Sequence, residues 1–216
     1  IRIRARANAD DNRVTTLGGA SFTGITQNDN TAPVLFNARR YVGSSTVRDI
    51  NGYGFQPDLV WFKARNAAYH HALFDSVRGG YGFLESDRNV AENSNNTNTL
   101  NAYNADGFEL GVDGTWYLNK ADIKYIAWAW KAGGAPSGTL AGSGATASLT
   151  NGFGNGTIHN SATGVAHATS ITQSVNQNGG FSITKYTGTA ADNTLEIPHN
   201  LGGTPDVVLV KPLASN

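Results

Sequence analysis

Alternation of apolar and polar residues at a period of two, the signature of a half-buried strand, runs through this chain from its first residues. Ile1, Ile3 and Ala5 alternate with Arg2, Arg4 and Arg6. Over residues 123–131 the alternation is one of size. Ile126, Trp128 and Trp130 share one face while Ala127 and Ala129 share the other, which predicts a strand packed closely on its alanine side. Ala72, Leu73 and Phe74 form a short apolar run that Gly79 and Gly80 end by permitting positive φ, and residues 81–84 return as a strand. Asp106-Gly107 and Asp113-Gly114 read as tight turns between short strands, the expected products being hairpins. Residues 89–104 read as a polar loop from which Leu100 and Tyr103 dip inward.

The pattern also repeats over a longer distance. Residues 54–63 read Gly-Phe-Gln-Pro-Asp-Leu-Val-Trp-Phe-Lys, and residues 203–211 read Gly-Thr-Pro-Asp-Val-Val-Leu-Val-Lys. Upstream, Phe36, Tyr41 and Gly43 recur as Phe181, Tyr186 and Gly188, with about three extra residues before the second Pro-Asp. Each copy reads as strand, turn, strand. Pro supplies a fixed φ at the strand's start, where no ladder bond is lost, and Asp can cap the turn. Leu59 and Trp61 on one face with Val60 and Phe62 on the other predict a strand buried between two layers. The expected fold class is therefore all-β, an antiparallel β-sandwich-like module built from duplicated strand-turn-strand units. Its expected divisions are an N-terminal arm or end of a preceding module (1–35), a first β repeat unit (36–134), a Gly/Ala/Ser/Thr-rich hairpin or linker (135–176) and the start of a second unit (177–216). The second unit is expected to be truncated, so the chain reads as an excerpt from a longer protein.

Composition narrows the partners. With 216 residues of which 39% are hydrophobic, the chain can bury a sizeable core without staples. The absence of Cys excludes disulfides, thiolate metal sites and cysteine nucleophiles. Sixteen basic and sixteen acidic residues balance, so no whole-molecule field for nucleic acid is expected. No run approaches the roughly 18 apolar residues of a membrane helix, so no membrane partner is expected either. Glycine at 26 positions and charged residues at only 15% describe a turn-rich β protein with a polar, uncharged surface.

Candidate chemistry is sparse. His70 and His71 with Asp75 come nearest to a metal or acid/base cluster, but adjacent histidines on a strand point to opposite faces. The structural reading has Asp75 and Arg78 closing a turn, with one histidine buried and one exposed. Asp75, Glu85, Asp87, Glu92 and Glu109 could supply a glycosidase's two carboxylates, yet they sit mostly as turn residues do. Ser76 and Ser86 lack a nucleophile-elbow setting, and residues 152–156 lack the helix of a dinucleotide loop. Trp61, Trp128 and Trp130 lie in apolar strands and are expected in the core. Trp116 and Tyr117 beside a predicted turn, with Asn95 and Asn96 of the Asn-rich loop, are the candidate contacts for a glycan or a partner chain. No catalytic, cofactor-binding or metal residue is assigned, and the expectation is a non-enzyme without cofactors.

Residues 54–63, 73–79, 106–108, 127–134 and 180–211 together resemble a domain of unknown function common in tailed bacteriophages of marine bacteria, found in large virion proteins often labelled tail fibres. The resemblance covers about residues 36–216 and carries no catalytic residues with it. It implies a virion setting: an extracellular particle assembled in the host cytoplasm, with other virion proteins and copies of the same chain as partners. A structural component, tail or fibre associated, is the function it implies. A module that binds host surface glycans, and a decoration protein of the capsid surface, are the alternatives.

Overall fold

The period-two pattern becomes twelve strands and no helix among the described residues of the computed structural model, which are 34–94, 98–113, 117–136, 139–140, 153–158, 169–188, 197 and 199–214. The first unit contributes β1 (Phe36–Val42), β2 (Arg48–Asn51), β3 (Leu59–Ala64), β4 (Ala72–Asp75), β5 (Gly79–Glu85), β6 (Leu100–Asn104), β7 (Gly107–Leu110) and β8 (Lys124–Trp130). Five of these form a sheet in the order β1-β8-β3-β4-β5, and the other three a sheet in the order β2-β7-β6. All of their pairings are antiparallel.

The two sheets enclose one core. Val60 and Phe62 of β3, Phe74 of β4 and Ala127 and Ala129 of β8 meet Ile50, Leu100, Phe108 and Leu110 of the smaller sheet, all of them buried. Phe62 sits edge-on to both Phe74 and Phe108, with ring centroids 5.7 and 5.2 Å away. The small alanine side chains of β8 let the sheets approach, as the size alternation predicts. This arrangement is sandwich-like, as expected. It differs from expectation in that β3 has one buried face rather than two. Leu59 and Trp61 lie on the outer face and are only half-buried. Trp128 and Trp130 share that outer face, so none of the three tryptophans is in the core. One layer packs on this sheet, and the alternation of β3 and β8 gives that layer the residues of a single face.

The tight turn at Asp106-Gly107 joins β6 and β7, and Asp106 also accepts the N–H groups of Gly52 (2.9 Å) and Gly54 (2.6 Å). Residues 100–104, expected in a loop, are strand β6 with Leu100 fully buried. Pairing with β7 satisfies their backbone, which outweighs the low strand propensity of Asn. Between β4 and β5, Gly79 takes the expected positive φ of 93°.

A second sheet system follows, in the order β12-β11-β10-β9: β9 (Thr139–Leu140), β10 (Phe153–Ile158), β11 (Thr169–Asn176) and β12 (Phe181–Thr187). Its pairings are antiparallel except for β9 with β10. The mostly polar stretch around residues 169–177 showed no strand signal in sequence, yet Ile171, Gln173, Ser174, Val175 and Asn176 are all buried in β11. Gln173 donates to Thr184 (2.8 Å) and accepts from Asn200 (2.6 Å), so its burial is compensated. The second system meets the first where Phe181 stacks on Trp130 at 6.0 Å and Ser174 bridges Gly133 and Gly134.

Candidate functional site

Two features stand out by chemistry or exposure: a polar cluster at the mouth of the β4–β5 hairpin and an extended apolar segment near the C-terminus. The first lies where sequence placed His70, His71 and Asp75, but the structure divides that trio. Asp75 ends β4 and is buried. Its Oδ1 accepts the N–H groups of Val77 (3.1 Å) and Arg78 (2.9 Å), and its Oδ2 accepts Arg78 Nε at 2.6 Å. Arg78 then reaches Glu92 (2.7 Å) and the Leu73 carbonyl (2.9 Å). Burial alone would lower the guanidinium's pKa, but Asp75 and Glu92 outweigh it and hold Arg78 more firmly protonated than usual. The Asp75–Arg78 turn closure is as expected, and it takes Asp75 away from the histidines.

Both histidines are half-buried, rather than one in and one out. His71 Nδ1 accepts Trp61 Nε1–H at 3.3 Å. His70 Nδ1 pairs with Asp87 Oδ2 at 2.8 Å, and Asp87 Oδ1 accepts the backbone N–H of His71 at 3.0 Å. Hairpin register explains the meeting: Ala72 opposes Glu85 and Leu73 opposes Leu84, so extending the ladder brings His70 opposite Asp87. Burial works against ionisation of Asp87, but the His70 and His71 contacts prevail and its carboxyl is held below the usual range.

Glu85 completes the cluster. Its Oε2 accepts Arg88 Nη1 at 3.0 Å and its Oε1 accepts the Tyr117 hydroxyl at 3.3 Å. Tyr117, a candidate surface contact, is half-buried. Its ring packs on Phe83 at 5.2 Å and on His70 at 6.3 Å, and burial together with the Glu85 charge raises its pKa. The other candidate contacts, Trp116, Asn95 and Asn96, lie outside the described residues. His70, Glu85 and Asp87 each offer a ligand atom within 4.8 Å of the others, a mixed nitrogen and oxygen set able to hold a metal ion. Glu85 and Asp87, two of the carboxylates that sequence offered for a glycosidase pair, both lie in this cluster. The other carboxylates that sequence offered are engaged elsewhere: Asp75 and Glu92 share Arg78, and Glu109 accepts from Asn101 at 3.0 Å.

The second feature follows from the repeated Pro-Asp. In the first copy Asp58 is fully buried and ties three strands together. Its N–H donates to the Trp130 carbonyl (2.8 Å), its carbonyl accepts from Ser76 (2.8 Å) and its Oδ2 accepts from Ala132 (2.7 Å). Burial raises the Asp58 carboxyl above its usual pKa, with the Ser76 and Ala132 contacts offsetting part of the rise. In the second copy Asp206 is exposed. Val207, Val208, Leu209 and Val210 are 85%, 72%, 66% and 65% exposed, where their counterparts form β3. The expected second strand is thus absent. Around residues 204–211 no strand among the described residues supplies the ladder that β4 and β8 give β3, and an unpaired strand in water is not stable. The segment is anchored instead to the first unit, through Glu92 N–H to the Leu213 carbonyl (2.8 Å) and Lys211 Nζ to the Val90 carbonyl (2.9 Å).

Residues 32–173 match the model of a family described as a domain of unknown function (DUF7483), and residues 155–216 match the same model a second time. The chain belongs to this family, and the double match agrees with the repeat read from Pro57-Asp58 and Pro205-Asp206. No curated protein and no solved structure matches the chain.

Proposed function

We propose that this chain is a structural component of a bacteriophage virion, tail or fibre associated, which assembles with copies of itself and with other virion chains. The observation that carries the reading is the run Val207–Val210: four consecutive aliphatic side chains exposed to solvent, in a segment whose first copy is the central strand of a sheet. Exposed contiguous apolar surface of this kind marks a protein contact, and an unpaired extended segment is suited to adding a strand to a partner's sheet. The virion setting rests on the family resemblance of residues 36–216.

The test is location. Antibodies raised against the 216-residue chain, applied to intact particles of a phage that encodes it, are expected to label the tail or its fibres in electron micrographs. Label confined to the capsid surface would favour the decoration alternative, and absence of the chain from purified particles would overturn the proposal.

A further inference from the structure

We propose that His70, Glu85 and Asp87 form a binding site for one divalent transition-metal ion, a property separate from the assembly role. The three residues come from two segments that the β4–β5 hairpin brings together. His70 lies in the loop before β4, Glu85 ends β5, and Asp87 follows in the turn beyond it. One imidazole nitrogen and two carboxylate oxygens suit Zn²⁺ or Mn²⁺ better than Ca²⁺, which takes more oxygen ligands. Zinc bonds of about 2.0–2.2 Å place tetrahedral ligands roughly 3.4 Å apart. Donor atoms now within 4.8 Å of one another need up to about 1.4 Å of closure, while His70 Nδ1 and Asp87 Oδ2, at 2.8 Å, open by about 0.6 Å. That movement falls on the side chains free to make it. His70 and Asp87 are 41% and 34% exposed, whereas the Glu85 side chain is 8% exposed and fixed at the strand end.

The surroundings suit the role. The His71 N–H holds Asp87 Oδ1, turning Oδ2 toward His70, and the Tyr117 hydroxyl holds Glu85 Oε1. Such outer contacts orient metal-bound carboxylates. A metal ion would take the place of two contacts now present: the His70–Asp87 hydrogen bond and the Arg88 guanidinium on Glu85. One consequence is specific: Arg88 competes with the metal, so its removal strengthens binding. The charged and titratable groups facing the site are Glu85, Asp87, Arg88, His70, His71 and Tyr117.

The full chain, treated with chelator and titrated with zinc chloride in a calorimeter at pH 7.4, is expected to bind one equivalent and to melt at a higher temperature when loaded. His70→Gln and Asp87→Asn, each with an unchanged circular dichroism spectrum, should weaken binding at least about tenfold. Arg88→Gln should tighten it several-fold, an outcome that loss of a merely structural ion pair would not produce. The proposal is overturned if no one-to-one binding occurs. It is equally overturned if binding is indifferent to both His70→Gln and Asp87→Asn, or if Arg88→Gln weakens it.

Discussion

At the residue scale, the repeated Pro-Asp is the clearest case of a signal legible in sequence whose meaning needed the fold. Spacing alone exposes the repeat, but not that Asp58 is buried between the end of β8 and the β4–β5 turn, because those partners lie 74 and 18 residues away. Burial raises the Asp58 carboxyl, so the folded state holds its proton more readily than the unfolded chain. The sign follows: this group's contribution to stability is fully present below the unfolded carboxyl pKa of about 3.9 and is lost as pH rises through the higher folded value. Asp58→Asn keeps an acceptor for the Ala132 N–H and carries no charge. At pH 7 it should be at least as stable as the parent in urea unfolding, with the gain vanishing near pH 3. Asp58→Ala leaves that N–H unpaired and should cost about 1–3 kcal/mol. Equal losses in both variants would show that the ionised carboxylate itself is required. The pairing of His70 with Asp87 was out of reach of sequence, since counting outward from a turn at residues 76–78 opposes His70 to Leu84, and only the register shift between Leu73 and Asp75 brings Asp87 opposite. What spacing could not supply was the hairpin's register.

At the element scale, alternation grouped the residues of β8 by face and marked the apolar run of β4, because side-chain period is a local property, but it did not show that the Trp128–Trp130 face is the outer one. It failed for β11, which buries Gln173 on one face and Ser174 on the other, since the hydrogen-bond partners that compensate them cannot be read from one strand. It failed in the opposite direction for residues 207–210, a strongly apolar run that is exposed and forms no strand with the described residues. The two repeated glycines show the same asymmetry. A side chain on Gly43 would collide with the Lys120 carbonyl, whereas among the described residues nothing lies within 4 Å of one placed on Gly188. If the exposed segment is an assembly surface, charge placed on one of its faces should block association without touching the fold. Val208→Asp with Val210→Asp is therefore expected to shift the chain from oligomers to monomers in sedimentation velocity. Its unfolding free energy should stay within about 0.5 kcal/mol, as for exposed sites generally. An unchanged distribution of species would remove the segment from the contact.

At the scale of the whole molecule, the two units are unequal in a way that predicts how the chain comes apart. The first closes a core between two sheets, and every buried member of that cluster lies between Ile50 and Ala129. The second is a single sheet whose described contacts with the first are few: the Phe181–Trp130 stack, the Ser174 bridges, the Asn176 side chain on the Lys131 carbonyl, and the two tethers of the C-terminal segment. An aromatic pair of this kind is worth about 0.5–1.5 kcal/mol beyond its buried area. The other contacts are single hydrogen bonds of about 1 kcal/mol each. Losing them is small beside a core that buries Tyr53, Phe62, Phe74, Phe83 and Phe108. Residues 34–136 expressed alone should therefore fold, with a sharp near-ultraviolet dichroism signal and one cooperative melt a few degrees below that of the full chain. Residues 169–216, which keep only β11 and β12 of the four-stranded sheet, should not fold alone. A molten first unit, with far-ultraviolet signal retained and near-ultraviolet signal lost, would mean that the second sheet forms part of the same core.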